Sequence, residues 1–180
     1  MKARFKKIIL FFTIILFVSC VDNLYFDQAN FEIEPVINAP LVYFELNQNS
    51  FFNETTTLEI SSITDISSFE VLKLPDLRNN LIKAIFTFEV KNSFDRNFEI
   101  NVDFLDDNDN ITYSISDIDL SPGNLNYRVI DTLQIATSPI FLNTKKIRVD
   151  VNLIPSSSQI DPNIYEILQF KSTGTFHLSI

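Results

Sequence analysis

The sequence predicts an all-β fold, an antiparallel β-sandwich preceded by an N-terminal signal-peptide helix. Three observations carry this. From Leu81 to Ser116 apolar and polar residues alternate with period two, interrupted only by Asn92–Asn97 (NSFDRN) and Asp106–Asn110 (DDNDN). Strict alternation over that length describes strands with one buried and one wet face, and turn-type residues between them make antiparallel neighbours. The last stretch repeats the pattern: Leu168, Phe170, Ser172, Gly174, Phe176, Leu178 and Ile180 share one face. No amphipathic helix is evident beyond the leader, and eight or nine turn-separated strands suggest a sandwich, with an up-and-down barrel as the other architecture.

In chain order, Lys2, Arg4, Lys6 and Lys7 precede the uncharged run Ile8–Val18, and Ser19 and Cys20 close it. A basic start, an apolar run of about 7–15 residues and a small residue at the end describe an export signal. The run is too short to span a membrane, which takes about 20 apolar residues. Residues 1–19 are therefore read as a signal peptide, cleaved between Ser19 and Cys20. Residues 20–35 are read as Cys20 and a tether, and residues 36–180 as the sandwich domain. The fifteen tether residues Val21–Pro35 span at most about 50 Å.

Leu16-Phe17-Val18-Ser19-Cys20 resembles the lipobox of bacterial lipoproteins. In that family an aliphatic residue stands three places before the cysteine and a small residue directly before it. Phe17 occupies the place where leucine is usual. The resemblance implies lipidation at Cys20, and with it attachment to a bacterial outer membrane. Several acyl chains on one cysteine would make that attachment lasting, since one chain alone binds only at about 10⁴ M⁻¹. Asp22 is the only acidic residue immediately after the cysteine, which leaves the periplasmic and surface faces of that membrane both open.

Within the domain, Leu41–Leu46, Thr56–Ser61 and Phe69–Leu74 are strand candidates, and Pro75–Asn80 is a turn or one short helical turn. Ile82, Ala84, Phe86, Phe88 and Val90 should point inward, then Phe98, Ile100, Val102 and Phe104, then Ile111, Tyr113 and Ile115. Tyr127–Ile135 is a strand of less regular phase, read as carrying a bulge. Ile147, Val149, Val151 and Leu153 form another inward row. Gly174 within the last strand marks a bulge or a close backbone approach. The run Thr87–Ile115 is similar to immunoglobulin-like modules of exported bacterial proteins, although the Cys…Trp…Cys signature of true immunoglobulin domains is absent. The slant towards Phe, Ile and Asn resembles proteins of the Bacteroidota.

Cys20 is the only cysteine, so no disulfide forms within the chain. Removing residues 1–19 takes away four of the 14 basic residues and none of the 23 acidic ones, leaving a net charge of −13. Nucleic acid is excluded as a partner, because its binding rests on Lys and Arg neutralising phosphates. The same balance disfavours flat docking on anionic lipid.

Chemistry is sparse. Asp106, Asn108 and Asn110 place oxygens at alternate positions, as calcium prefers. The EF-hand pattern, however, wants Gly where Ile111 stands, and a hairpin loop explains the same residues. His177 is the only histidine, placed on the outward face of the last strand, too little for a transition-metal site or a Ser-His-Asp arrangement. Two glycines exclude a phosphate-cradling loop. Asp131-Thr132-Leu133 resembles the O-glycosylation acceptor of Bacteroidota periplasmic proteins, which would put a glycan on Thr132. The expectation is a non-enzymatic, cofactor-free envelope lipoprotein that binds or assembles with other envelope proteins. A glycan-binding accessory lipoprotein is the alternative, and would need exposed aromatics in a row. A carboxylate hydrolase would need two carboxyls across a deep pocket.

Overall fold

The structure, a computed structural model, describes residues 34–53, 55 and 58–179, apart from the side chains of Ser116 and Asp117. Ser19, Cys20 and most of the tether lie outside the described residues. The described residues belong to one compact unit.

Eight strands form two four-stranded antiparallel sheets: β1 (Val36–Asn47), β2 (Ser62–Ser68), β3 (Leu81–Asn92), β4 (Phe98–Leu105), β5 (Ile111–Leu120), β6 (Tyr127–Gln134), β7 (Lys146–Leu153) and β8 (Ile167–Leu178). One sheet runs β1-β8-β3-β6 and the other β2-β7-β4-β5. The expected sandwich is present. Its connectivity is not that of an immunoglobulin domain, whose sheets run ABED and CFG. Here the hairpin β4·β5 is innermost, and β3 with β6, β2 with β7 and β1 with β8 wrap around it as nested pairs. One long hairpin folded over on itself gives this order, which is the jelly roll.

The alternating rows predicted for β4, β7 and β8 face the core as expected, with Phe98, Ile100, Phe104, Val149 and Phe176 at 0–1% exposure. Rings of both sheets interlock: Phe86 of β3 lies 4.7 Å from Phe104 of β4, and Phe141 packs on both at 5.7 and 5.4 Å. Burying each such side chain is worth about 1.5–3 kcal/mol, and most phenylalanines among the described residues are buried in this core.

Within the strands and their connections several expectations are corrected. Of the expected strand Thr56–Ser61, Thr56 and Thr57 lie outside the described residues, and Leu58–Ser61 is not a strand: only Glu59 makes a bridge there, to Phe52, and the strand is the next segment, β2. Phe69–Leu74 is not a strand either. Its buried residues, Phe69 and Leu72, are three apart, and a 3-10 turn over Val71–Lys73 puts them on one side while Leu74 stays outside. That turn leads into α1 (Pro75–Asn80), the short helix expected, with proline in its first turn. Ile82 is exposed and Leu81 buried in its place, because the register slips between Leu81 and Lys83. A second slip at Phe104/Leu105 turns Ile111 outward and Thr112 inward, where Thr112 donates to the Phe104 carbonyl (3.0 Å) and shares a hydrogen bond with Thr144 (2.6 Å). Finally, β6 pairs with β3 without a bulge.

Gly174 sits in unbroken register between β1 and β3, so it marks neither a bulge nor a close backbone approach. The bulge lies in the neighbouring pairs, in β1 between Pro40 and Tyr43 opposite Thr173 and Lys171, where the Ser172 hydroxyl accepts from the Val42 amide (2.9 Å) and donates to its carbonyl (3.1 Å). What Gly174 admits is a ring: a Cβ there would stand 2.5 Å from Phe176 Cζ. Gly174→Ala is therefore expected to cost about 1–3 kcal/mol through overpacking, read as a lower urea midpoint at unchanged m value.

Candidate functional site: an open side between two strand edges

The two long sides of the sandwich differ. On one, edge strands β5 and β6 meet. Tyr113 of β5 donates its hydroxyl to the Asp131 carboxylate of β6 at 2.5 Å. Burial, then this bond and the carboxylate's charge, push the tyrosine hydroxyl well above its usual range. On the other side, edge strands β1 and β2 leave an apolar slot of about 200 Å³ leading to the core. Phe44 and Leu46 of β1, Ile63 and Asp65 of β2, and Val149 and Val151 of β7 line it. Phe44 is held flat against Phe170, with ring centroids 5.0 Å apart.

Each lining residue is placed by its register. Ile63 pairs with Val151 and Asp65 with Val149, so Asp65 occupies a position that faces the slot from an exposed edge. A charge pointing inward on an edge strand is a common guard against edge-to-edge pairing, as are proline and a bulge, which β1 carries at Pro40–Tyr43. Removing the guard should show: Asp65→Val is expected to shift sedimentation towards larger species at concentrations where the parent does not associate.

The residues singled out from sequence fall elsewhere. In the β4–β5 loop, Asp106 accepts from the Asn108 amide (2.8 Å), the Asn110 amide (2.9 Å) and the Asn110 side chain (3.0 Å). Asp109 takes a left-handed backbone, φ 64°, and its carboxylate lies 2.7 Å from the Lys146 ammonium. Among the described residues no group of three or more His, Cys, Asp or Glu is placed to share an ion. The side-chain bond from Asn110, then the backbone bond, hold the Asp106 carboxyl below its ordinary pKa. A lowered folded-state pKa stabilises above the unfolded value and is lost as pH falls through the folded one. Amide exchange of Asn108 and Asn110 should therefore rise only below the usual aspartate range, in step with the Asp106 carboxyl shift followed by NMR.

Thr132 is exposed on the outer face of β6, while Asp131 turns inward to Tyr113 and Leu133 is buried. The three residues of the acceptor-like motif are thus split between the two faces of one strand. His177 lies on the outer face of β8, level with Val36 and Lys83. The exposed aromatics among the described residues are Tyr43 on β1 and Tyr165 in the loop before β8, which do not make a row. Asp103 and Asp150 are brought together by Arg148, which both contact on the outer face of the β2-β7-β4-β5 sheet rather than across a deep pocket.

A buried cluster that sequence reading missed lies at one end of the sandwich. Arg96, 5% exposed, donates to Glu59 (3.0 Å) and to the carbonyls of Ser158 (2.7 Å) and Ile154 (3.1 Å). Glu59 also accepts from the Ile160 amide at 2.8 Å. Its partners are 37 to 62 residues distant in the chain, so no local pattern announces it.

Fold and site together define an eight-stranded jelly-roll sandwich with one closed and one open side. No family model matches the chain, and no curated protein matches it. Among solved structures it is similar to a predicted secreted protein from Parabacteroides distasonis ATCC 8503, at 12% identity and a TM-score of 0.48, over 64% of this chain and 38% of that one. It is also similar to the infectious bursal virus derived T=1 particle protein (9% identity, TM-score 0.48, 81% of this chain and 32% of that one). A third is the enzymatically active domain of bacteriophage CBA120 tailspike protein 4 (12% identity, TM-score 0.39, 82% and 19%). The chain spans well under half the length of each, and likenesses this distant carry no argument about function.

Proposed function

We propose that this chain is an exported lipoprotein, held by lipid on Cys20 to the bacterial outer membrane, whose sandwich is a non-catalytic assembly module for other envelope proteins. The observation that carries the assembly part is the contrast between the two sides: all four are edge strands, but β5 and β6 are joined by Tyr113 and Asp131, whereas β1 and β2 flank an apolar slot. A partner strand added to either edge gains main-chain hydrogen bonds, and its alternate side chains fill the slot. Its inward residues should be apolar, with a basic one opposite Asp65. The leader and Cys20 support the anchor.

A photo-crosslinker at Ile63, compared with one at Gln134 on β6, tests the module in cells. Adducts mapping to an extended segment of an envelope protein from position 63 alone are the expected result; equal adducts from both positions contradict it. Uptake of a palmitate analogue by the parent and not by Cys20→Ala tests the anchor.

A further inference from the structure

The net acidity of the chain hides a segregation of charge between the two outer faces. On the β1-β8-β3-β6 sheet, Lys83, Lys91, Arg128 and Lys171 face outward against only Glu45 and Glu89. On the other sheet, Glu99, Asp103, Asp119 and Asp150 outnumber Lys146 and Arg148. Stacked sheets are about 10 Å apart, and the outward side chains farther still. At physiological ionic strength the Debye length is about 8 Å. Distance and screening along the surface therefore weaken the far face, and an object touching one face meets chiefly the local charge rather than the net charge.

The cationic face has more than charge. Tyr43, Lys171, Glu89 and Arg128 stand in one straight row across all four strands. Lys171 lies over the Tyr43 ring, 5.9 Å from its centroid, and Lys91 has no ion-pair partner among the described residues. Between Lys91, Arg128 and Lys171 lies a shallow recess of about 250 Å³, the size for one polar headgroup; Glu89 also lines it, 4.0 Å from Arg128 and outnumbered three to one. Around it Tyr43, Leu125 and Ile130 are more than half exposed. Aromatic and aliphatic side chains interleaved with Lys and Arg suit a lipid interface, where the stems lie in the apolar boundary and the charges reach phosphate. The backbones of β8 and β3 are paired on both sides, so this face offers no free main-chain edge to a peptide.

The tether points the same way. It enters this sheet, at Val36 of β1, and only fifteen residues separate that point from Cys20, a reach of at most about 50 Å. We propose that the outer face of the β1-β8-β3-β6 sheet rests on the anionic lipid surface to which the chain is anchored, with a headgroup phosphate in the recess between Lys91, Arg128 and Lys171. This rests on the anchored reading above. It also reverses the expectation drawn from net charge, because the acids that made the chain repel such a surface lie mostly elsewhere. The β1/β2 side then opens parallel to the membrane, where another envelope protein can reach it.

The chain has no tryptophan, so a single introduced one reports its own surroundings. The full lipidated protein is reconstituted in brominated phosphatidylcholine vesicles with and without phosphatidylglycerol, as Tyr43→Trp and, on the opposite face, as Ile66→Trp. Tyr43→Trp is expected to lose most of its fluorescence in the anionic vesicles, and Ile66→Trp to keep its own. Adding Lys91→Glu, Arg128→Glu and Lys171→Glu, all exposed, should restore the Tyr43→Trp signal with the urea midpoint little changed. Equal quenching at both positions, or quenching indifferent to the charge reversals, overturns the docking while leaving the anchor standing. A Cys20 peptide without acyl mass overturns both.

Discussion

Replacing Arg96 with alanine will cost the fold about 3–5 kcal/mol. The guanidinium is buried, and it ties the β3–β4 turn to two other segments: Glu59, and the carbonyls of Ile154 and Ser158. Taking it away leaves a carboxylate of 18% exposure with one remaining donor from Ile160 and two carbonyls without theirs. Breaking a buried pair from one side is expensive because the abandoned charge stays desolvated. Against a usual stability of about 5–15 kcal/mol, the loss is a large fraction of the whole. Arg96→Lys keeps the charge but not the fork, and should fall between. Arg96→Met with Glu59→Gln removes the uncompensated charge and should recover part of the loss. Urea midpoints of the four proteins measure this, and a cost under about 1 kcal/mol for Arg96→Ala would mean the pair is not desolvated.

Phe86→Ala should be of similar size, about 3–5 kcal/mol, by a different route. Phe86 is fully buried at the centre of β3 and touches rings from both sheets and from the turn Pro139–Asn143: Phe104 at 4.7 Å, Phe176 at 6.4 Å and Phe141 at 5.7 Å. Its removal opens a cavity that neither sheet can close alone, because each is fixed by its own ladder. For a domain of this size the melting temperature should fall by about 2–4 °C per kcal/mol. Phe86→Leu refills part of the space and should cost less. Scanning calorimetry decides: equal melting temperatures for the alanine and leucine variants would mean the site collapses around the loss.

What the sequence disclosed follows from how each strand is buried. β7, β8 and the first half of β4 alternate between a dry and a wetter face, so alternation alone places Ile100, Val149 and Phe176. β2 was unreadable because an edge strand buries little: of Ser62–Ser68 only Ile63 and Ser67 are even partly covered. The errors at Ile82 and Ile111 come from register slips, which invert a face without changing composition. Phe69–Leu74 failed because its apolar residues fit both a strand and a tight turn, and Pro75 resolved it only in space. The open slot had no sequence signature. Phe44, Ile63 and Val149 are distant in the chain, and only the nesting of β1 with β8 and β2 with β7 brings them together. The acidic loop Asp106–Asn110, by contrast, is legible as a turn, and the structure adds which of its residues is left-handed, Asp109.

Amide hydrogen exchange of the chain in intact envelope membranes, against the same chain purified, tests the assembly reading most directly. The account predicts that amides of β1 from Tyr43 to Asn47 and of β2 from Ile63 to Ser67 slow in the membranes, while those of β5 are unchanged. Protection at β5 equal to that at β1 and β2, or no slowing at either open edge, would contradict it.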